Sequence, residues 1–246
     1  VSEPADEVEP GGGWELDAGG VEAVFLDAGG VLLDPDWQRA AEMLRRHGIW
    51  ATAERLAAAE PAAKRAMDEP GYLHRTDDVT RSGGYLGRVL ETSGLAFAPE
   101  ALAEAARDFE AEHHRSNLWS ALPPGVPVAL ERLWRRGYRL AVVSNAESNL
   151  RDRLKAAGID RYFERRIISA EVGAEKPDPR IFEEGLRQLN VAPWRVIHVG
   201  DFYEIDVRGA RAVGITPVLM DVAGLSADRD CVRVRSLPEL ADLLHA

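Results

Sequence analysis

The chain has 246 residues, 46% hydrophobic and 29% charged, which is enough to bury a sizeable core and too apolar for a disordered or fibrous class. Lys and Arg number 30 against 41 Asp and Glu, a formal net charge of −11. Such a surface repels phosphate backbones and anionic lipid, so small molecules are the expected partners and neither nucleic acid nor membrane is. The single Cys231 excludes an intramolecular disulfide. No apolar run reaches the roughly 18 residues of a spanning helix and no basic-then-apolar leader is present, so a reducing, cytoplasmic setting is expected.

Residues 1–20 hold Glu3, Asp6, Glu7, Glu9, Glu15 and Asp17 with no Lys or Arg. With Pro4, Pro10 and Gly11 to Gly13 added, this segment cannot offset its own ordering entropy and reads as a disordered acidic tail. Val21, Val24, Phe25 and Leu26 then form an apolar run that ends in Asp27, Gly29 and Gly30, the pattern of a buried strand feeding a tight loop. Leu16 to Gly20 repeats Leu26 to Gly30 letter for letter, but only the second copy follows a strand. Residues 35–118 are rich in Ala, Glu, Arg and Leu at helical spacing and predict four helices near 37–47, 52–68, 80–94 and 99–116. Further apolar runs at 139–143, 166–168, 196–199 and 216–220 predict strands. Helical patterns alternate with them: one carries Leu130, Leu133 and Trp134, one carries Leu150 and Leu154, one is opened by Pro179, and one is ended by Gly214.

Alternating strands and helices predict an α/β chain: a Rossmann-like, mostly parallel sheet with helices on both faces, plus a smaller all-helical unit. The expected division is a tail at 1–20, a core at 21–34 and 119–246, and a helical cap at 35–118. In such a sheet the ligand crevice lies beyond the carboxyl ends of the strands. Asp27, Ser144 with Asn145, and Asp201 fall there, and Lys176 lies in the loop 175–179. Two carboxylates, a hydroxyl, a backbone amide and an ammonium suit Mg²⁺ and a phosphoryl group. Singly, each residue reads as well as a helix cap, a turn or a solvated charge; their joint order is what points to a site. Asp206, at the opening of a helix, reads either as a stabiliser of that helix or as support for a metal site. His113 and His114 are adjacent on a predicted helix and cannot face one metal together, and one cysteine makes no zinc pattern. Arg75, Arg81 and Arg115 are candidate grips for an anion, and Tyr72 and Trp119 candidate linings of an entrance, with a solvated charge and a core aromatic as the plainer readings.

Four signatures in order, Val24-Phe25-Leu26-Asp27-Ala28-Gly29-Gly30-Val31-Leu32, Ala141-Val142-Val143-Ser144-Asn145, Lys176-Pro177, and His198-Val199-Gly200-Asp201 with Asp206, resemble the haloacid dehalogenase superfamily. The helical segment after the first signature is similar to the family's four-helix cap. The resemblance implies a Mg²⁺-dependent hydrolase of a small phosphorylated molecule. By it, Asp27 is the nucleophile, Ser144 and Asn145 bind phosphoryl oxygens, and Lys176 neutralises charge. Asp27, the Gly29 carbonyl and Asp201 ligate the metal, and Asp206 supports it. The family's phosphatases carry a second Asp, their general acid and base, where this chain has Gly29. Its absence is expected to slow unactivated esters by about 10² to 10⁴ unless Asp34, His74, Asp77 or Asp78 replaces it. Two other readings stay open: a 2-haloacid dehalogenase-like hydrolase, which has no use for the Asp201 and Asp206 pair, and a non-catalytic binding protein, which has no reason to keep Ser144, Lys176, Asp201 and Asp206 together.

Overall fold

The computed structural model describes Leu16, residues 19–69 and residues 78–245, the last without the side chains of 78–83. Strands β1 (Ala23–Leu26), β2 (Asp34–Pro35), β3 (Trp119–Ala121), β4 (Arg139–Ser144), β5 (Phe163–Ile168), β6 (Val196–Gly200), β7 (Thr216–Met220) and β8 (Val232–Val234) form two sheets. The larger has the order β5-β4-β1-β6-β7-β8 and every pairing in it is parallel. β2 and β3 make a short antiparallel ladder of their own.

Side chains along the central strands alternate between two cores. Val24 and Leu26 of β1 join Leu140 and Val142 of β4 and Ile197 and Val199 of β6 in one cluster, whereas Ala23 and Phe25 join Ala141 and Val143 in another. This period of two with apolar residues on both faces is what a parallel sheet buried on both sides requires. Helices Val126–Arg135 and Leu237–Leu243 cover the first face through Leu130, Leu133 and Leu240. Helix Pro179–Leu189 covers the second through Ile181 and Phe182; Asp178 caps it by accepting from the Arg180 amide, and Pro179 takes the first helical position, where no N–H is needed.

Between β2 and β3 lie α1 (Trp37–Arg46), α2 (Ala53–Met67) and two further helices, Asp78–Thr92 and Pro99–Ser116. Asp36 and Thr52 cap α1 and α2 with their side-chain oxygens. The four helices bury a core separate from those of the sheet, including Leu44, Leu56, Leu86, Val89 and Phe109. Phe109 is fully buried there, so Phe109→Ala should cost about 3–5 kcal/mol, measured as a lowered urea midpoint at unchanged slope.

The five expected strands and eight expected helices are present, and where bounds were expected the ends differ by at most three residues. β5 begins at Phe163 and not at 166 because Glu164 and Arg165 are exposed on a sheet edge, where alternation is not enforced. β2, β3 and β8 were not foreseen; at two or three residues each they are too short to carry a period. The acidic tail lies outside the described residues except Leu16, Gly19 and Gly20, and Leu16 packs on the sheet core. Tyr72, His74, Arg75 and Asp77, and the side chains of Asp78 and Arg81, also lie outside them.

Candidate active site

β1 sits between β4 and β6, and the chain leaves it for β4 on one side while β6 lies on the other. A crevice opens where strand connections diverge in this way. Asp27 follows the last residue of β1 and its amide donates to the Val199 carbonyl at 2.9 Å, which fixes the residue at the edge beside β6. Ser144 ends β4, and Asp201 follows β6. These three residues, Asn145, Lys176, Asp206 and Gly29 all line one cavity of about 170 Å³ between the sheet edge and the helical insert.

Lys176, 2% exposed, is the hub of the charges. Its Nζ donates to Asp206 Oδ1 at 2.7 Å and pairs with Asp27 Oδ2 at 2.9 Å. Burial opposes its charge, but the Asp206 and Asp27 carboxylates outweigh burial and push the ammonium up to about 12. The loop carrying it is clamped on both sides by the Asn145 side chain, which accepts from the Lys176 amide at 2.6 Å and donates to its carbonyl at 3.0 Å. Asp206 Oδ1 also meets His198 Nε2 at 3.0 Å, and its Oδ2 accepts from the Phe202 amide at 3.0 Å. Burial would raise the Asp206 carboxyl, yet Lys176 and His198 hold it well below the usual carboxylate range. The other Asp27 oxygen accepts from the Ala28 amide at 2.7 Å.

Asp201 has a partner that the sequence did not suggest. Lys64, from α2 of the insert, places Nζ 2.7 Å from Asp201 Oδ2 and 2.9 Å from Glu60 Oε1, and the Tyr85 hydroxyl donates to the same Glu60 oxygen. Burial lowers the Lys64 ammonium, but Asp201 and Glu60 outweigh it and raise it well above its usual range. Gly30 makes room for this pair: its φ is +70°, and a Cβ there would collide with the Asp201 carboxylate. Asp201, buried, is pushed up to about 7 against the pull of Lys64 and with the push of Asp27 and Asp206.

Asp27, Asp201 and Asp206 each offer one carboxylate oxygen, all within 4.8 Å of one another. With Glu60 these carboxylates outnumber the two lysines, so the floor of the cavity is net negative, and a hard divalent cation fits an all-oxygen set of this sign. Of the other sequence candidates, Trp119 and His113 line the cavity and Asp34 and Arg115 do not. Asp34 sits on β2, and Arg115 pairs with Glu112 at the surface. His114 reaches Glu147 at 3.2 Å. Lys64, Glu60 and Tyr85 were missed, although a lone lysine among Leu56, Ala59, Ala63 and Met67 on the buried side of α2 was the available signal.

Residues 21–214 match the haloacid dehalogenase-like hydrolase family. The chain is 36% identical over 222 residues to haloacid dehalogenase-like hydrolase domain-containing protein 3 of Mus musculus, covering 86% of each. It is 40% identical over 125 residues to a phosphoserine phosphatase of Thermus thermophilus, 50% of this chain and 49% of that one. Its fold is similar to that of a phosphatase of Thermococcus onnurineus, with a TM-score of 0.57 at 26% identity over 91% of this chain and 98% of the other. The chain belongs to the haloacid dehalogenase-like hydrolases.

Proposed function

We propose that the chain hydrolyses a small phosphorylated molecule by transferring the phosphoryl group to Asp27 and then to water, with residues 35–118 as a cap over the core. The observation that carries this reading is the Asp27 carboxylate, held at the end of β1 by Lys176 and the Ala28 amide and facing a cavity with Ser144 and Asn145 on its wall. The phosphatase relative named above supports the same reaction class.

An Asp27 oxygen attacks phosphorus, and the bond to the leaving oxygen breaks with its electron pair. Lys176 pairs with Asp27 and aims it, and Asn145 keeps Lys176 in place. The Ser144 hydroxyl and the Asn145 amide donate to phosphoryl oxygens, where preset donors are worth most. Water then attacks phosphorus, phosphate leaves, and Asp27 is restored. Asp27, the Gly29 carbonyl and Asp201 would hold Mg²⁺, with Asp206 behind them, and the ion would neutralise charge on the phosphoryl group. Asp206 acts through Lys176 and His198, both of which meet its Oδ1.

Calorimetry should show Mg²⁺ binding to the whole chain that is largely lost in Asp201→Ala, and Asp27→Asn should abolish phosphate release from aryl phosphates while still binding the ion. Equal Mg²⁺ binding in the wild type and Asp201→Ala would sink the metal assignment. A second reading, metal-free hydrolysis of a carbon–halogen bond, draws on Asp201 already having a cation partner in Lys64; halide release from 2-chloropropionate without added metal is its measurement.

A further inference from the structure

A phosphatase of this architecture needs a proton for a basic leaving oxygen, and position 29 supplies none. The structure bears on why. A Cβ at position 29 would lie 3.2 Å from Trp119 Cδ1 and 3.4 Å from Trp119 Nε1, closer than ordinary packing, so the indole edge stands against the glycine. The indole is held there by two neighbouring rings and by the anchoring of the Trp119 backbone, and it lines the cavity. Its ring lies 5.1 Å from that of Tyr85 and 5.3 Å, edge-on, from that of His113. Its amide donates to Asn117 Oδ1 and its carbonyl accepts from Arg153, both at 2.9 Å, and β3 pairs it with Pro35. A side chain at 29 requires this anchored indole to give way by a few tenths of an ångström.

Among the described residues, the three aromatic side chains packed together here supply no acid. An indole N–H donates a hydrogen bond and keeps its proton. Burial, aided by the Arg153 charge, lowers His113 to about 4, which leaves a neutral imidazole, and the Tyr85 hydroxyl, raised well above its usual range by burial and by Glu60, is engaged in donating a hydrogen bond to Glu60. Against Gly29 the cavity therefore presents a planar, uncharged indole.

We propose that Trp119 is the specificity-determining residue of this site: it takes the space of the missing acid and selects phosphate esters whose leaving oxygen is weakly basic and carried on a flat aromatic group. This rests on the phosphoryl reading of Asp27. The leaving group departs as the phenolate, with the electron pair of the broken phosphorus–oxygen bond, and needs no proton from the protein. The indole stacks on its ring and offers Nε1–H, a match of faces that an alkyl alcohol of the same size lacks.

The test compares phenyl phosphate with cyclohexyl phosphate, similar in size and apolarity but with leaving oxygens of very different basicity, in the full chain with Mg²⁺. The wild type should favour phenyl phosphate by more than a hundred-fold in kcat/KM. Trp119→Ala should cut kcat/KM for phenyl phosphate about ten-fold, mainly through KM, and leave cyclohexyl phosphate nearly unchanged. Gly29→Asp should raise cyclohexyl turnover ten-fold or more in the Trp119→Ala background and not in the wild type. Packing is read separately by melting: Gly29→Ala should lower the Tm by several degrees in the wild type and by little in Trp119→Ala, the non-additivity expected of side chains in contact. Comparable rates on both esters, equal gains from Gly29→Asp in both backgrounds, or additive melting shifts would each overturn the proposal. Failure of the wild type to turn over any phosphate ester would overturn the phosphoryl reading and this proposal with it.

Discussion

Lys176→Met is expected to remove most of the activity and a large part of the stability together. The ammonium lies against Asp27 and Asp206 with almost no water, so deleting it leaves two carboxylates close together and uncompensated. Breaking a buried pair from one side costs about 3–5 kcal/mol, and loss of the cation that aims the nucleophile should lower turnover about 10²-fold or more. The pH dependence gives the prediction its sign. In the wild type the Asp206 carboxyl is depressed, so its contribution is complete above the unfolded value of about 3.9 and is lost as pH falls. Lys176 is raised to about 12, so its contribution is complete below about 10.4 and is lost as pH rises through the folded value. In the variant the carboxylates lack their cation and gain by taking up protons. Its deficit relative to the wild type in urea melts should therefore shrink between pH 8 and pH 5, over and above the change both share as Asp201, raised to about 7, takes up its proton. A deficit that is flat with pH would show that lost packing, and not unpaired charge, is the cost.

The second large effect concerns the fate of the phosphorylated enzyme. Departure of a phenolate needs no acid, but water must lose a proton when it attacks phosphorus, whichever ester came first, and Gly29 offers no base. With a good leaving group the second half-reaction should limit the rate. Rapid quench with an aryl phosphate should give a burst near one equivalent of enzyme, then a slow steady rate, and mass spectrometry should find an adduct of about 80 Da on Asp27. Linear release with no adduct would point to a base elsewhere in the cavity or to a different chemistry. The burst should persist in Gly29→Asp unless Trp119 is also replaced, because the indole denies the new carboxylate its place.

Much of this was legible in the chain because the sheet enforces it. β1, β4 and β6 are buried on both faces, so their apolar runs are unbroken and the polar residue that ends each run, Asp27, Ser144 or Asp201, marks the crevice. The unread parts depend on contacts between distant segments. Nothing near Lys64 in sequence says that an Ala-rich helix will bring it to Asp201, which is 2.7 Å away in space and lies beyond six further α-helices and three strands of the larger sheet in the chain. The plainer reading of Trp119 was a core aromatic; it does pack on the core of the insert, and its other contacts also place it on the cavity wall against Gly29. Asn145 was expected to act through its amide, and its side chain turns out to clamp the Lys176 loop.

The last turns of α2 touch the core twice. Lys64 pairs with Asp201, and Asp68, just past the helix, accepts from the amides of Tyr203 and Glu204 at 2.8 and 2.9 Å, closing the amino end of the turn Tyr203–Val207 that carries Asp206. Asp68 also accepts, through its carbonyl, from Arg229 at 2.9 Å. One short stretch of the insert is therefore fastened to the segment that bears both acidic residues of the last signature. Any swing that lifts α2 from the sheet edge strips Asp201 of its cation and the 203–207 turn of its cap in the same movement. Lys64 leaves together with Glu60 in such a swing, so the net charge of the floor stays as it was and the change is local: the Asp201 carboxylate loses its ammonium and stands open to another cation.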